Sequence, residues 1–309
     1  MKNKVLGIIA GILTGIFLIL VILIILVLGN RIRTLEETKE SLEKRLEEEC
    51  QTQEELNNVI TDLQTSLGEM ESEAQAAAQE AARMVNINEL PAGTVLTQDQ
   101  TNQIDQEQLT QYFLINTISD EVYQRINGKS YRENNNIGLD DLRYLKLIHY
   151  NFEHQIQVGE LIVNAALAQE MTEIFMELFQ NEYEIYSMYL VDNYWTGDGG
   201  TTDSASIDVN NTSAFNYRTA TGSSTNLSNH AYGCAIDINP QQNPYVSYRS
   251  GSPSWSHENA NDYIDRTTGY AHVITHDDLC YKIFKEHGFS WGGDWNTIKD
   301  YQHFEKEVY

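Results

Sequence analysis

Ser228-Asn229-His230-Ala231-Tyr232-Gly233-Cys234-Ala235-Ile236-Asp237 and Asp300-Tyr301-Gln302-His303-Phe304-Glu305 decide how this chain is read. The first stretch carries a histidine and an aspartate seven residues apart. The second carries a histidine with a carboxylate three residues before it. Two imidazoles and one carboxylate can hold a zinc ion and leave its fourth position open to water. A further carboxylate beside them has the chemistry of a general base for that water. Asp237 stands inside the apolar run Cys234–Ile238. A buried carboxylate there is costly unless a partner compensates it. Together the two stretches point to a zinc hydrolase.

Working outward, Asn210-Asn211-Thr212-Ser213-Ala214-Phe215-Asn216-Tyr217-Arg218 precedes the first stretch and Asn239-Pro240-Gln241-Gln242-Asn243-Pro244-Tyr245 follows it. Gly288-Phe289-Ser290-Trp291-Gly292-Gly293-Asp294-Trp295 precedes the second. This ordered series resembles the M15 metallopeptidases, in their VanY-like and endolysin-like branch. These are zinc D-Ala-D-Ala carboxypeptidases, dipeptidases and L-Ala-D-Glu endopeptidases of bacterial cell-wall peptides. The likeness covers roughly residues 115–309. It implies His230, Asp237 and His303 as ligands of a Zn2+ cofactor and Asp300 as the water-activating base. It further implies that Arg218 binds substrate or stabilises the oxyanion, and that Ser228 orients the site or contacts substrate. M15 members commonly carry Glu at the base position, and the endolysin-like branch commonly carries Asp. Glu305 is expected to orient a ligand histidine, because metal-bound imidazoles need an acceptor on their other nitrogen. Trp291 and Trp295 flank Gly292-Gly293 and are candidates to line the cleft and bind substrate, with a place in the core as the alternative. His272 and His276 have helical metal-ligand spacing, but Tyr270–Thr275 reads as a strand running into a helix cap, which argues against them. Cys234 is expected as a small buried hydrophobe.

The rest of the chain bounds where such an enzyme works. Its 309 residues carry 20 basic and 45 acidic side chains, a formal net charge of −25. That balance repels phosphate backbones and argues against nucleic acid as a partner. Cys50, Cys234 and Cys280 form neither a zinc-finger spacing nor a disulfide framework. Residues 5–28 are almost wholly apolar, long enough to cross a hydrocarbon core of about 30 Å. Leu28-Gly29-Asn30-Arg31 offers no small-residue cleavage site, so an uncleaved anchor is expected rather than a signal peptide. Lys2 and Lys4 precede the span, while Arg31, Arg33, Lys39, Lys44 and Arg45 follow it. That count favours a cytoplasmic C-terminus. A cell-wall substrate requires the opposite, and long following domains translocate despite such counts. The expected arrangement is therefore a single-pass protein of the bacterial cell membrane with the catalytic domain outside.

Residues 31–86 read as a continuous helix with a heptad stripe. Ile32, Leu46, Ile60, Leu67, Ala74 and Ala81 fall at a; Leu35, Leu42, Leu56, Leu63, Met70, Ala77 and Met84 fall at d. Lys39, Glu49 and Gln53 interrupt it. The pattern fits a parallel homodimeric coiled coil, with a solvated single helix as the alternative. Four segments result: a membrane anchor (1–30), a coiled-coil stalk (31–86), a Gln- and Thr-rich linker (87–112) and a catalytic domain (113–309). Within the last, strands are expected over 142–150 and 160–164, joined by a loop containing Gly159, with a helix over 167–183. Residues 196–212 read as a loop, 233–238 as a short strand, and 275–288 as a helix with its cap and stop. Strands and helices without βαβ alternation give an α+β class: a small antiparallel sheet with helices around a zinc site. The function this organisation supports is a membrane-anchored zinc peptidase of peptidoglycan stem peptides. A D-Ala-D-Ala carboxypeptidase is the leading reading, an L-Ala-D-Glu-type endopeptidase is the alternative, and a non-catalytic wall-binding module is the rival from another class.

Overall fold

The computed structural model describes residues 2–81 and 85–308. The chain divides into two compact units, Met1–Ala82 and Arg83–Tyr309. The first is one helix, α1 (Lys2–Ala81). The absence of proline, with a Leu-, Glu- and Gln-rich sequence after Gly29, lets it continue through Gly29 and Gly68 without a break. At 80 residues it extends about 120 Å. Its N-terminal part is long and apolar enough to cross a membrane. The a residues Ile32, Leu46 and Ile60 and the d residues Leu35, Leu42 and Leu63 are exposed. Met84, expected at d, lies outside the described residues.

The second unit is α+β, as the sequence implies. After α2 (Gln98–Thr101) come β1 (Phe113–Asn116) and α3 (Asp120–Ile126). They are followed by β2 (Leu142–Tyr150), β3 (Ile156–Asn164) and α4 (Ala168–Gln180). Strands β1, β2 and β3 form one antiparallel sheet in that order. Helix α4 lays Met171, Ile174, Phe175, Leu178 and Phe179 into the core against it; Phe113 of β1 meets Phe179 edge-to-face. Gly159 does not sit in a loop as expected. It lies inside β3 opposite Leu147. A Cβ there would come within 2.9 Å of the Met188 sulfur, so glycine serves close packing rather than a turn. The turn is instead residues 151–155, where Asn151 Oδ1 accepts from the Glu153 and Gln155 amides.

The segment 87–112 is a second departure. Expected as a linker, it packs into the second unit. Gly93 and Leu96 donate to the carbonyls of Val158 and Ile156, and Val158 donates back to Thr94, so the segment lies along β3. Ile87, Leu96, Leu109 and Tyr112 are buried. Their polar neighbours hide them from a composition-based reading, but a few well-placed apolar side chains suffice to anchor a segment.

The C-terminal half carries short elements: β4 (Ser187–Met188), α5 (Gly199–Asp208), β5 (Asn211–Thr212), β6 (Ala235–Asp237) and β7 (Tyr245–Ser247). Helix α6 (Leu279–Glu286), β8 (Ser290–Trp291), β9 (Ile298–Asp300) and β10 (His303–Glu305) complete it. Strand β10 lies between β6 and β8, and β7 pairs with β9, both arrangements antiparallel. Helix α5 replaces an expected loop. The Asp198 side chain caps it, accepting from the Gly200 and Thr201 amides, a start signal hidden by the Gly/Thr/Ser composition. Asp278 caps α6, three residues later than the start expected at Thr275, and Gly288, at φ 78°, follows its end as the sequence predicts.

Candidate metal centre and active site

Strands β6 and β10 bring the two sequence stretches together. Their register sets His303 directly opposite Asp237 and Phe304 opposite Ile236. Phe304 and Ile236 enter the core, so alternation turns His303 and Asp237 to the other face. His230 comes from a 3-10 turn, Asn229–Tyr232, whose N-cap is Ser228; its hydroxyl accepts from the His230 amide. Gly233 closes the turn at φ 66°. A Cβ at Gly233 would lie 2.5 Å from the Asn164 nitrogen, whose N–H donates to the Gly233 carbonyl. The glycine thus pins the His230 turn to the end of β3.

Three side chains converge. His230 Nε2 lies 3.2 Å from His303 Nδ1 and 3.3 Å from Asp237 Oδ2; His303 Nδ1 lies 3.1 Å from Asp237 Oδ1. Ligands about 2.0–2.1 Å from a tetrahedral zinc stand about 3.3–3.4 Å apart, so the trio fits that ion. All three side chains are buried. Each imidazole is oriented from behind: His230 Nδ1 lies 2.6 Å from the Ala214 carbonyl, and His303 Nε2 lies 3.0 Å from Glu305 Oε2. Those contacts leave His230 Nε2 and His303 Nδ1 turned to the centre. Asn229 also donates to Glu305, fixing the carboxylate.

The electrostatics favour positive charge here. Burial alone would lower His303, but the carboxylates of Asp237 and Glu305 outweigh it and push its pKa up to about 10. Burial opposes ionisation of Asp237, yet His230 and His303 hold it below the usual carboxylate range. The His303 hydrogen bond likewise lowers Glu305. Asp300, at the end of β9, goes the other way. Burial, reinforced by the Asp237 charge, raises it to about 7. The residue is only partly buried, but its Oδ1 is enclosed and has no hydrogen-bond partner. Gly292 makes room for it, since a Cβ there would stand 2.5 Å from the Asp300 carbonyl oxygen.

A cleft of 420 Å³ opens on this centre, lined by Asp203, Arg218, Ser228, Trp295, Asp300 and Gln302 among others. Arg218 is nearly buried, and its Nη2 forms a 2.7 Å ion pair with Asp203 of α5. Asp203 was not foreseen, because the segment that carries it reads as a loop. Trp295 stands beside His303, ring centroids 5.4 Å apart. Trp291, the other substrate-binding candidate, does not line the cleft. It is buried against Phe304 and Tyr281, and its indole N–H donates to the Tyr301 carbonyl. His272 and His276 are not gathered in the metal cluster. His272 faces Glu184 and His276 faces Asp294, and no strand forms over 270–275. Cys234 is buried, as expected.

A larger cavity of 840 Å³ lies between residues 88–92 and the β1–β3 sheet. Several of its charges are satisfied locally: Arg125 grips Glu160 at 2.6 and 2.9 Å, Tyr144 donates to Glu160, and Lys146 donates to the Asn88 carbonyl. It holds no metal-donor trio among the described residues. The His230–Asp237–His303 trio lies at the smaller cleft.

The fold and the donor set define a candidate metal-dependent hydrolase. Residues 221–306 match the family described as D-alanyl-D-alanine carboxypeptidase. The matched stretch holds His230, Asp237, Asp300, His303 and Glu305, so the resemblance to M15 peptidases read from the sequence stands over it. No curated protein and no solved structure matches the chain.

Proposed function

We propose that the protein is a zinc peptidase, anchored in the bacterial cell membrane through residues 5–28, that hydrolyses peptidoglycan stem peptides outside the membrane. The observation that carries this reading is the buried His230–Asp237–His303 trio beside Asp300, whose Oδ1 is enclosed and has no hydrogen-bond partner. Bound there, Zn2+ supplies Lewis acidity and makes a neighbouring water acidic. Asp300 then has two tasks: it accepts the proton of the attacking water and passes it to the departing amine. A pKa raised toward neutrality suits a group that must do both. The Arg218 guanidinium, held by Asp203, stands at the cleft where negative charge develops on the carbonyl oxygen. Ala214 and Glu305 keep the two imidazoles in their tautomers. Ser228 holds the His230 turn, and Trp295 provides an apolar wall for substrate.

The matched family's description favours a D-Ala-D-Ala carboxypeptidase, with an L-Ala-D-Glu-type endopeptidase as the second reading. We infer a parallel homodimer through the stalk from the heptad stripe of α1. Digestion of purified peptidoglycan with the zinc-loaded enzyme, followed by mass analysis of the fragments, tests the function. Loss of a terminal residue supports the carboxypeptidase, and internal cleavage supports the endopeptidase. An unchanged digest counts against both. Protease added to protoplasts should remove the catalytic unit, and protection until lysis would reverse the orientation.

A further inference from the structure

We propose that Tyr245 is a catalytic residue, whose phenol O–H donates a hydrogen bond to the carbonyl oxygen of the amide being cleaved. The assignment rests on the peptidase reading above. In the pairing of β7 with β9, Tyr245 stands directly opposite Asp300. Strand alternation turns Tyr245, Asp300 and Ile298 to one face of this ribbon and Val246 and Lys299 to the other. The surroundings agree. Tyr245, Ile298 and Asp300 line the cleft, whereas Val246 is buried and Lys299 donates to the Gly293 carbonyl. Directly opposed residues hold their Cβ atoms about 4.5–5.5 Å apart. Tyrosine is the longer side chain, so its hydroxyl reaches further from the ribbon than the Asp300 carboxyl.

The Tyr245 hydroxyl is uncommitted. It has no hydrogen-bond partner among the described residues, and it is not one of the enclosed partnerless atoms, so a ligand can reach it. The Arg218 guanidinium, by contrast, already holds Asp203 and donates to the Thr219 carbonyl. Burial pushes the Tyr245 phenol up; Arg249 offsets part of that and the Asp300 charge adds to it. The hydroxyl therefore keeps its proton and meets substrate as a donor. Asp300 serves the attacking water and the departing amine. The remaining atom of the scissile amide is its carbonyl oxygen, an acceptor that gains negative charge as the water attacks. A donor beside the base has its largest effect there, because its bond strengthens as that charge develops.

The test compares the full-length zinc-loaded enzyme with Tyr245→Phe on a stem peptide, with zinc content and melting temperature recorded for both. The substitution removes the hydroxyl and keeps the ring. It should lower kcat/KM between about tenfold and a hundredfold, carried by kcat, with zinc content and melting temperature unchanged. A phosphinate analogue of the scissile amide copies the tetrahedral, negatively charged oxygens. Its affinity should fall by the same factor as kcat/KM. Wild-type kinetics in the variant overturn the assignment. So does a lower kcat with undiminished phosphinate affinity, and so does a lowered melting temperature, which would give the hydroxyl to the fold. A wild-type enzyme that cleaves no stem peptide overturns the peptidase reading, and this assignment with it.

Discussion

His303 and Asp237 are direct cross-strand partners of β10 and β6, and their side chains meet at 3.1 Å on the face away from the core. The convergence of the donor side chains is therefore a product of strand register. A one-residue slip of β10 would put Phe304 opposite Asp237 and dismantle the donor set.

The charge state of His303 sets a pH dependence in the metal-stripped protein. Burial lowers its pKa, but Asp237 and Glu305 dominate and raise it to about 10, against about 6.5 in an unfolded chain. A raised folded-state pKa gives stabilisation that is complete below the unfolded value and lost as pH climbs through the folded one. Thermal unfolding of chelated protein should therefore occur at progressively lower temperature from about pH 6.5 to about pH 10. Zinc must displace the same proton, so its affinity should grow with pH and its binding should release protons in calorimetry. A melting temperature that rises over that window contradicts the assignment.

Asp300→Asn separates base from ligand. The amide keeps the shape but cannot take a proton. The variant should retain zinc and lose activity by roughly 10²-fold or more. Loss of zinc in metal analysis would make Asp300 a ligand instead. His230→Ala, by contrast, should lose metal and activity together.

Asp203→Asn tests the brace on Arg218. Removing the charge breaks a largely buried ion pair and frees the guanidinium to leave the cleft. The expected result is a kcat/KM reduced by about tenfold or more with zinc content unchanged. Steady-state kinetics equal to wild type would show that Arg218 needs no brace.

The buried segment 87–112 sets a limit on truncation. A fragment beginning at residue 83 keeps Ile87, Leu96, Leu109 and Tyr112, whereas one beginning at residue 113 exposes the surfaces they cover. At about 1.5–3 kcal/mol for each large buried side chain, their loss rivals a whole domain's stability of about 5–15 kcal/mol. Denaturant titration should give a cooperative transition for 83–309 and a strongly weakened one, or none, for 113–309.

The sequence exposed what chemistry and strong periodicity mark. The heptad stripe of α1, the apolar strand β2, the amphipathic α4 and the capped α6 are all readable from local pattern. So are the residues of the metal trio, because histidine and aspartate at those spacings are conspicuous. What escaped depends on contacts distant in sequence. Gly159 looks like a turn residue until Met188 is packed over it. Helix α5 hides in a Gly/Thr/Ser run whose only signal is the Asp198 cap. Asp203 gains meaning only when α5 is laid against Arg218. Ala214 has no side-chain chemistry to notice, yet its carbonyl fixes the tautomer of His230. The fate of Trp291 and Trp295 could not be told from their symmetric places around Gly292-Gly293. Only the packing of β8 against β10 sends one ring into the core and leaves the other at the cleft.

Helix α1 runs from its apolar start into its charged heptads without a proline, a bulge or a glycine-induced break. Such a rod is stiff in torsion as well as in bending. Each residue contributes about 100° of turn and 1.5 Å of rise. A single residue inserted near Gly29 would swing the Leu35–Leu63 stripe by more than a quarter-turn around the axis relative to the apolar span, while lengthening the rod by less than the width of an atom. Insertions of seven residues would nearly restore the original facing. In this part of the protein, the sequence encodes an azimuth as well as a length.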